Sequence, residues 1–416
     1  MLPLSLVIDP SLSYTDQLAA RADALATACV HAGDEGDTEA GALEVPLVLS
    51  SAFRFKSAED ASQAFRGESD AYIYGRWSNP SVEALEAKVA ALEGAAGACA
   101  TASGMAAVSG TILSLCEQGS HVVAPRSMYA ESARLLRERL PRFGVTTTFV
   151  DAHDAASYAA AIRPETRVLY LETPSNPTLG ISDIGAVVGL AQGKGLVTVL
   201  DNTFATPFSQ NPLALGVDFV VHSMTKALGG HGDAIGGVVC GGAAGIERAR
   251  DLIVKGFGGV ISPFNAFLVS RGLRTFALRQ RQACGTAATL AHRLEEHPRV
   301  SKVHHPSLST HPGHTVARRQ MFSYGSLLSF EVGAPKGGGG DALSYGRKVL
   351  ESVKVAVHAV SLGDVRSLIV HPASTTHSTM PAEHRRLAGI EDGLLRMSVG
   401  IESTRDLWSD LERALG

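Results

Sequence analysis

Lys226 stands in HSMTKALGGHGD, His222 to Asp233, directly after the apolar run VDFVV. Two hydroxyl side chains, Ser223 and Thr225, precede it, and two glycines follow within the next four residues. An amine whose surroundings depress its pKa can form a Schiff base with a carbonyl compound. Other apolar runs also end on functional side chains. GLVTVLDN brings Asp201, TRVLYLETPSNP brings Asn176, and HVVAPRSMY brings Tyr129. TASGMAA (101–107) is a small-residue turn that leads into an apolar helix. The N–H groups at such a helix start favour phosphate.

A carboxylate for a pyridinium nitrogen, an amine, an aromatic ring, hydroxyls and a helix start are together the parts of a pyridoxal phosphate site. Taken singly, each has a plainer reading. A lysine after a strand is most often a solvated end residue, Asp201 alone would be a cap, SGM a tight turn, and Tyr129 a packing residue. His222 and His231 raise the question of a metal, but they lack the i, i+4 spacing of a zinc helix and no cysteine accompanies them. No metal site is expected.

For these residues to meet, the apolar runs must lie side by side. The segments 120–125, 146–151, 166–174, 195–202, 217–223 and 234–241 read as buried strands. Candidate helices fall at 82–94, 130–140, 183–195 and 277–297. Strands that are apolar throughout and separated by helices predict an α/β fold, a mostly parallel sheet with helices on both faces. Ligands of such sheets sit outside the carboxyl ends of the strands. Residues 1 to about 75 read as an arm with short helices, and 333–341 (GAPKGGGGD) as a flexible surface turn. The division expected is an N-terminal arm over 1–78, a cofactor-binding domain over 79–277 and a smaller α+β C-terminal domain over 278–416.

The 416 residues are 45% hydrophobic and 19% charged, with net charge −4. That composition is ordinary for a globular protein. No basic stripe argues for nucleic acid, and no window approaches the length of a membrane span. Five scattered cysteines without a CxxC pair, and a start without a basic n-region, point to a reducing, cytoplasmic setting.

The chain resembles the cysteine/methionine-metabolism (trans-sulfuration) group of fold-type-I pyridoxal phosphate enzymes, whose fold is that of the aspartate aminotransferases. The motifs that carry the resemblance are YGRWSNPS (74–81), ASGMAA (102–107), ETPSNP (172–177), DNTFATP (201–207), HSMTKALGGHGD (222–233), SPFNAFL (262–268), SLGD (361–364), HPASTTH (371–377) and RMSVGIE (396–402). The resemblance implies pyridoxal 5'-phosphate held as an aldimine on Lys226, which also shuttles protons. It implies that Asp201 keeps the pyridine nitrogen protonated, Tyr129 stacks on the ring and acts at the leaving group, and Asn176 lies near the phenolic oxygen. Ser103, Gly104, Met105, Ser223 and Thr225 would grip the phosphate. Arg396 would take the substrate carboxylate, with Ser361 beside it. Tyr74 and Arg76 would reach the cofactor of a neighbouring subunit, within a homotetramer built from dimers with shared sites. A fold-type-I aminotransferase would share Asp201 and Lys226 but not the YGRWSNP or SLGD…HPASTTH segments.

The family joins γ-replacement and γ-elimination on one catalytic set, so departures from its motifs must choose between them. Cystathionine-handling members tend to carry glutamate just before SLG, where this chain has Val360. Methionine γ-lyases commonly read Tyr-Gly-Cys at the stacking tyrosine, against Tyr129-Ala130-Glu131 here. KGFGGVISP (255–263) is also short for a lyase, while VSLGD is lyase-like and SPFNAFL and HPASTTHS are sulfhydrylase-like. Ala130 and Met224 stand where glycine and alanine are usual, which leaves room for an unusual substrate. The balance favours an O-acylhomoserine sulfhydrylase using sulfide or a small thiol. The alternative is methionine γ-lyase, then cystathionine γ-synthase or γ-lyase.

Overall fold

The computed structural model describes residues 11–34, 41–333, 341–376, 378, 382–387 and 389–416. The glycine-rich turn expected at 333–341 lies almost wholly outside them, as does His377 of HPASTTH.

Seven strands form the larger sheet: β1 (Gly97–Thr101), β2 (His121–Pro125), β3 (Thr146–Val150), β4 (Thr166–Glu172), β5 (Val197–Asp201), β6 (Phe219–Ser223) and β7 (Gly237–Gly241). Their order is β1-β7-β6-β5-β4-β2-β3. The run β3-β2-β4-β5-β6 is parallel throughout, and β7 lies antiparallel between β6 and β1. The sheet is thus mostly parallel, as the apolar runs predict. β2 and β7 are buried along their whole length, because helices cover both faces.

β1 is absent from the sequence reading. Its residues, GACAT, are too small to stand out as an apolar run, yet Ala98, Cys99 and Ala100 are all buried. The arm also differs from the short helices expected of it. Tyr14–His31 is one 18-residue helix, capped by Ser13, whose hydroxyl accepts the Asp16 N–H. Its Leu18, Ala22, Leu25 and Cys29 join the same core as Ala277 and Cys284 of the helix Phe276–Glu295. Alanine-rich periodicity is faint on paper but fully buried here.

A second, five-stranded sheet contains β8 (Val300–His304), β9 (Leu327–Val332), β10 (Val357–His358), β11 (Leu368–Val370) and β12 (Leu394–Ser398), ordered β10-β11-β12-β9-β8. All of its pairings but β10–β11 are antiparallel. All five cysteines are free, and four are buried. Among the described residues no helix is long and apolar enough to cross a membrane.

Side chains alternate between the faces of a strand, so Asp201 and Ser223 share one face and His222 takes the other. On that other face Glu93, the last residue of the helix Pro80–Glu93, is buried under the strand ends. Its carboxylate accepts from His222 Nε2, from Asn202 Nδ2 at 2.9 Å and from Asn211 Nδ2 at 3.4 Å. Removing one member of a buried charged network strands the rest. Glu93→Ala should therefore lower unfolding free energy by about 3–5 kcal/mol. Loss of the exposed Glu59–Arg66 pair should leave the midpoint close to wild type. Denaturant midpoints for the two variants check this; equal midpoints would mean that the network does not brace the strand ends.

Candidate functional site

A cavity of about 490 Å3 opens at the carboxyl ends of β4, β5 and β6, where the chain leaves the sheet. All the cofactor- and substrate-binding residues expected from the sequence line it except Tyr74 and Arg76; Ala130 lines it too, whereas Met224 is fully buried in the core beneath and does not.

One end is built for an anion with several oxygens. Helix Gly104–Leu115 begins there, capped by Ser103, whose hydroxyl accepts the Ala106 N–H at 3.2 Å. The N–H groups of Gly104 and Met105, in the first turn, have no partner within the helix. The helix start fits against the sheet because neighbouring positions lack side chains. A Cβ on Gly237 would lie 2.1 Å from the Ser103 carbonyl oxygen, and one on Gly104 would lie 2.7 Å from the Ser223 Cβ. β7 places Gly237 opposite both Ser223 and Thr101. Ser223 and Thr225 add hydroxyls to this end; Thr225 Oγ1 also accepts the Gly236 N–H at 3.1 Å. Backbone donors and hydroxyls at a helix N-terminus fit a phosphate.

The middle of the cavity carries the ring-facing groups. Asp201 is held by the Thr203 N–H at 3.0 Å. Burial pushes its carboxyl up, against the pull of Thr203 and of His222. Glu172 stands beside it, in register on β4. Burial, and then the Asp201 charge, push Glu172 up to about 8. It accepts the Tyr129 N–H at 2.7 Å and the Asn176 N–H at 3.3 Å. Sequence reasoning passed over Glu172, although it closes an apolar run just as Asp201 does. Tyr129 is 45% exposed at the opening. Its phenol is raised by burial and by the charges of Glu131, Asp201 and Glu172, so it is protonated at neutral pH.

The amine lies across from these groups. Lys226 Nζ donates to Ser361 Oγ at 3.1 Å. Burial, and then the nearby Arg396 charge, lower its pKa, which favours the free amine. Arg396 comes from β12 of the second sheet, distant in sequence but 6% exposed against this cavity. Its Nη1 donates to Asn176 Oδ1 at 2.8 Å and its Nη2 to the Ser361 carbonyl at 3.0 Å. Its Nε is buried without an acceptor. Burial lowers the guanidinium to about 10, which leaves it charged near neutrality. A rigid fork with a spare donor suits a carboxylate.

Tyr74 and Arg76 lie elsewhere. Tyr74 is exposed, the Arg76 guanidinium sits 5.5 Å from its ring centre, and Arg76 Nη1 donates to the Lys255 carbonyl.

A phosphate cradle, a buried carboxylate facing the cavity, a lysine of lowered pKa and an arginine fork, all on the carboxyl rim of a parallel sheet, define a site for a pyridoxal phosphate enzyme acting on amino acids. Residues 26–416 match the family described as Cys/Met metabolism PLP-dependent enzyme. The chain belongs to that family, and its cofactor is pyridoxal phosphate. It is 43% identical to an L-methionine gamma-lyase of Fusobacterium nucleatum over 94% of this chain and 98% of that protein. It is 38% identical to an O-succinylhomoserine sulfhydrylase of Pseudomonas aeruginosa, over 94% of each. The crystal structure of metB from Corynebacterium glutamicum superposes with TM-score 0.86 at 36% identity, over 98% of this chain and 99% of that one. Members of this group are lyases and transferases that act on C–S bonds of amino acids, and this chain is an enzyme of that kind.

Arg396→Lys replaces a two-pronged donor by a point charge. The variant should keep its cofactor and visible spectrum while losing about 2–4 kcal/mol of transition-state stabilisation. The loss should appear in kcat/KM for every amino-acid substrate alike. Steady-state kinetics on two substrates with different leaving groups check this; a loss confined to one would move Arg396 to the leaving-group end.

Proposed function

We propose that the protein is a γ-lyase of methionine or a similarly small thioether amino acid, rather than the O-acylhomoserine sulfhydrylase favoured by its motif departures. Methionine and water become methanethiol, 2-oxobutyrate and ammonium. The observation that carries this reading is the charge of the cavity wall. Lys226 and Arg396 are its only cations among the described lining residues, against Glu131, Glu172 and Asp201. Both cations are committed to the cofactor and the α-carboxylate. Among the described lining residues of the chain none remains for the distal carboxylate of a succinyl ester or the distal amino-acid end of cystathionine. Val360, apolar and 64% exposed, occupies the wall where cystathionine handling calls for a glutamate. Further relatives named L-methionine gamma-lyase, 40–42% identical, support the same choice.

Ser103, Gly104, Met105, Ser223 and Thr225 would hold the phosphate, and Asp201 would keep a proton on the pyridine nitrogen. Pyridoxal phosphate, which Lys226 would hold until an amino acid displaces it, would supply an electron sink for the charge that develops at Cα. Arg396 fixes the α-carboxylate, with Ser361 and Asn176 orienting the guanidinium. Lys226 takes the proton from Cα and then serves Cβ. Tyr129, protonated and at the open side, delivers a proton to the departing sulfur. Holoenzyme should release 2-oxobutyrate from methionine with kcat/KM at least about tenfold above that for homocysteine formation from O-acetyl- or O-succinylhomoserine plus sulfide. The reverse ratio would restore the sulfhydrylase.

Tyr74 and Arg76, outside this chain's own cavity, complete the phosphate site of a second copy, within a homotetramer of such dimers in the cytoplasm. Arg76→Ala and Lys226→Ala are then each inactive alone. Mixed under subunit exchange, they should recover activity at sites where both native residues meet. Proven exchange without recovery counts against shared sites.

A further inference from the structure

We propose that Glu172 is the positioning residue that holds the leaving-group acid and the carboxylate clamp in one frame, through its two carboxylate oxygens. Oε2 accepts the N–H of Tyr129, and Oε1 accepts the N–H of Asn176. These two contacts belong to different chain segments. Tyr129 opens the helix that starts at Ala130, whereas Asn176 lies beyond β4 and passes the restraint on. Its side-chain oxygen receives Arg396, Arg396 reaches the Ser361 carbonyl, and the Ser361 hydroxyl receives Lys226. The chain Tyr129–Glu172–Asn176–Arg396–Ser361–Lys226 therefore joins the acid, the clamp and the amine, and within it Glu172 links the two halves.

The inference rests on the roles given above to Tyr129 and Arg396. The ionised carboxylate offers a full acceptor to each of the two N–H groups. When protonated, one oxygen carries a hydrogen and accepts its N–H only weakly, which loosens that half of the frame. The groups facing Glu172 are Asp201 on the neighbouring strand, the phenols of Tyr129 and Tyr170, and, across the cavity, Lys226 and Arg396. Helix Gly104–Leu115 contributes no charge. Burial and Asp201 raise the carboxyl to about 8. A proton on the ring nitrogen beside Asp201 would offset that second contribution and bring the titration lower. Activity that needs the carboxylate must rise with pH through this titration and be lost below it.

The test is the pH profile of kcat/KM for holoenzyme, wild type against Glu172→Gln. The amide sets an NH2 group, which cannot accept, against one of the two N–H donors, and it does not titrate. It should lower the plateau by about 100-fold, the scale of a misplaced catalytic group, and remove the acid-side limb. Cofactor absorbance and the unfolding midpoint should stay near wild type. A purely structural role would lower activity at all pH values and leave the limb in place. A limb at the same pH in Glu172→Gln, wild-type kcat/KM in that variant, or a wild-type profile flat on the acid side would each overturn the proposal. If Glu172→Gln loses its cofactor or its fold, Glu172→Asp decides. That shorter carboxylate titrates but cannot span both donors, so the limb should persist over a reduced plateau; a full plateau overturns the proposal. Wild type that releases no 2-oxobutyrate from methionine rejects the lyase reading alone, and the same profiles are then run on an O-acylhomoserine with sulfide.

Discussion

Two carboxylates, Glu172 and Asp201, end adjacent parallel strands in register, and the site is arranged around keeping that pair together. Like charges in a buried setting push each other toward the neutral form. The surroundings answer with directed donors. Thr203 serves Asp201, and the N–H groups of Tyr129 and Asn176 serve Glu172. A protonated ring nitrogen is the natural further partner for Asp201. The cofactor would then complete an electrostatic arrangement that the protein alone leaves short of positive charge.

The two faces of the sheet divide the labour. On the cavity face lie Asp201 and Ser223 with the glycine-lined helix start. On the reverse, Glu93 ties His222, Asn202 and Asn211 together beneath the same strand ends. Residues adjacent in sequence (Asp201 and Asn202, His222 and Ser223) thereby serve chemistry and support in turn. Arg396, from the second sheet, arrives across this edge, so the clamp proposed for the substrate carboxylate depends on how the two sheets pack. Ser361 and Asn176 are the polar contacts through which that packing reaches Lys226 and Glu172.

Much of this was legible before any coordinates. Asp201 and Lys226 follow apolar runs that could only be buried strands, and the carboxyl rim of a parallel sheet gathers such residues whatever lies between them. β1 escaped because GACAT is apolar only in the small-residue sense, and the Tyr14–His31 helix because alanines blunt its periodicity. Glu172 obeyed the same rule as Asp201 yet went unread, since its role lies in accepting backbone N–H groups that no motif displays. The choice between elimination and replacement was the least legible. Both use one catalytic set, and the choice proposed here rests on the two cations, Lys226 and Arg396, found among the described residues of a wall assembled from several separate segments.

The five free cysteines acquire a meaning from the chemistry proposed here. Burial raises every one of their thiols, Cys116 and Cys284 to about 11 and Cys99 to about 12. Hardly any thiolate exists on them at neutral pH, and the thiolate is the species that attacks disulfides or oxidants. If the protein releases a mercaptan at each turnover, as proposed, it does so with its own thiols held protonated and slow to exchange.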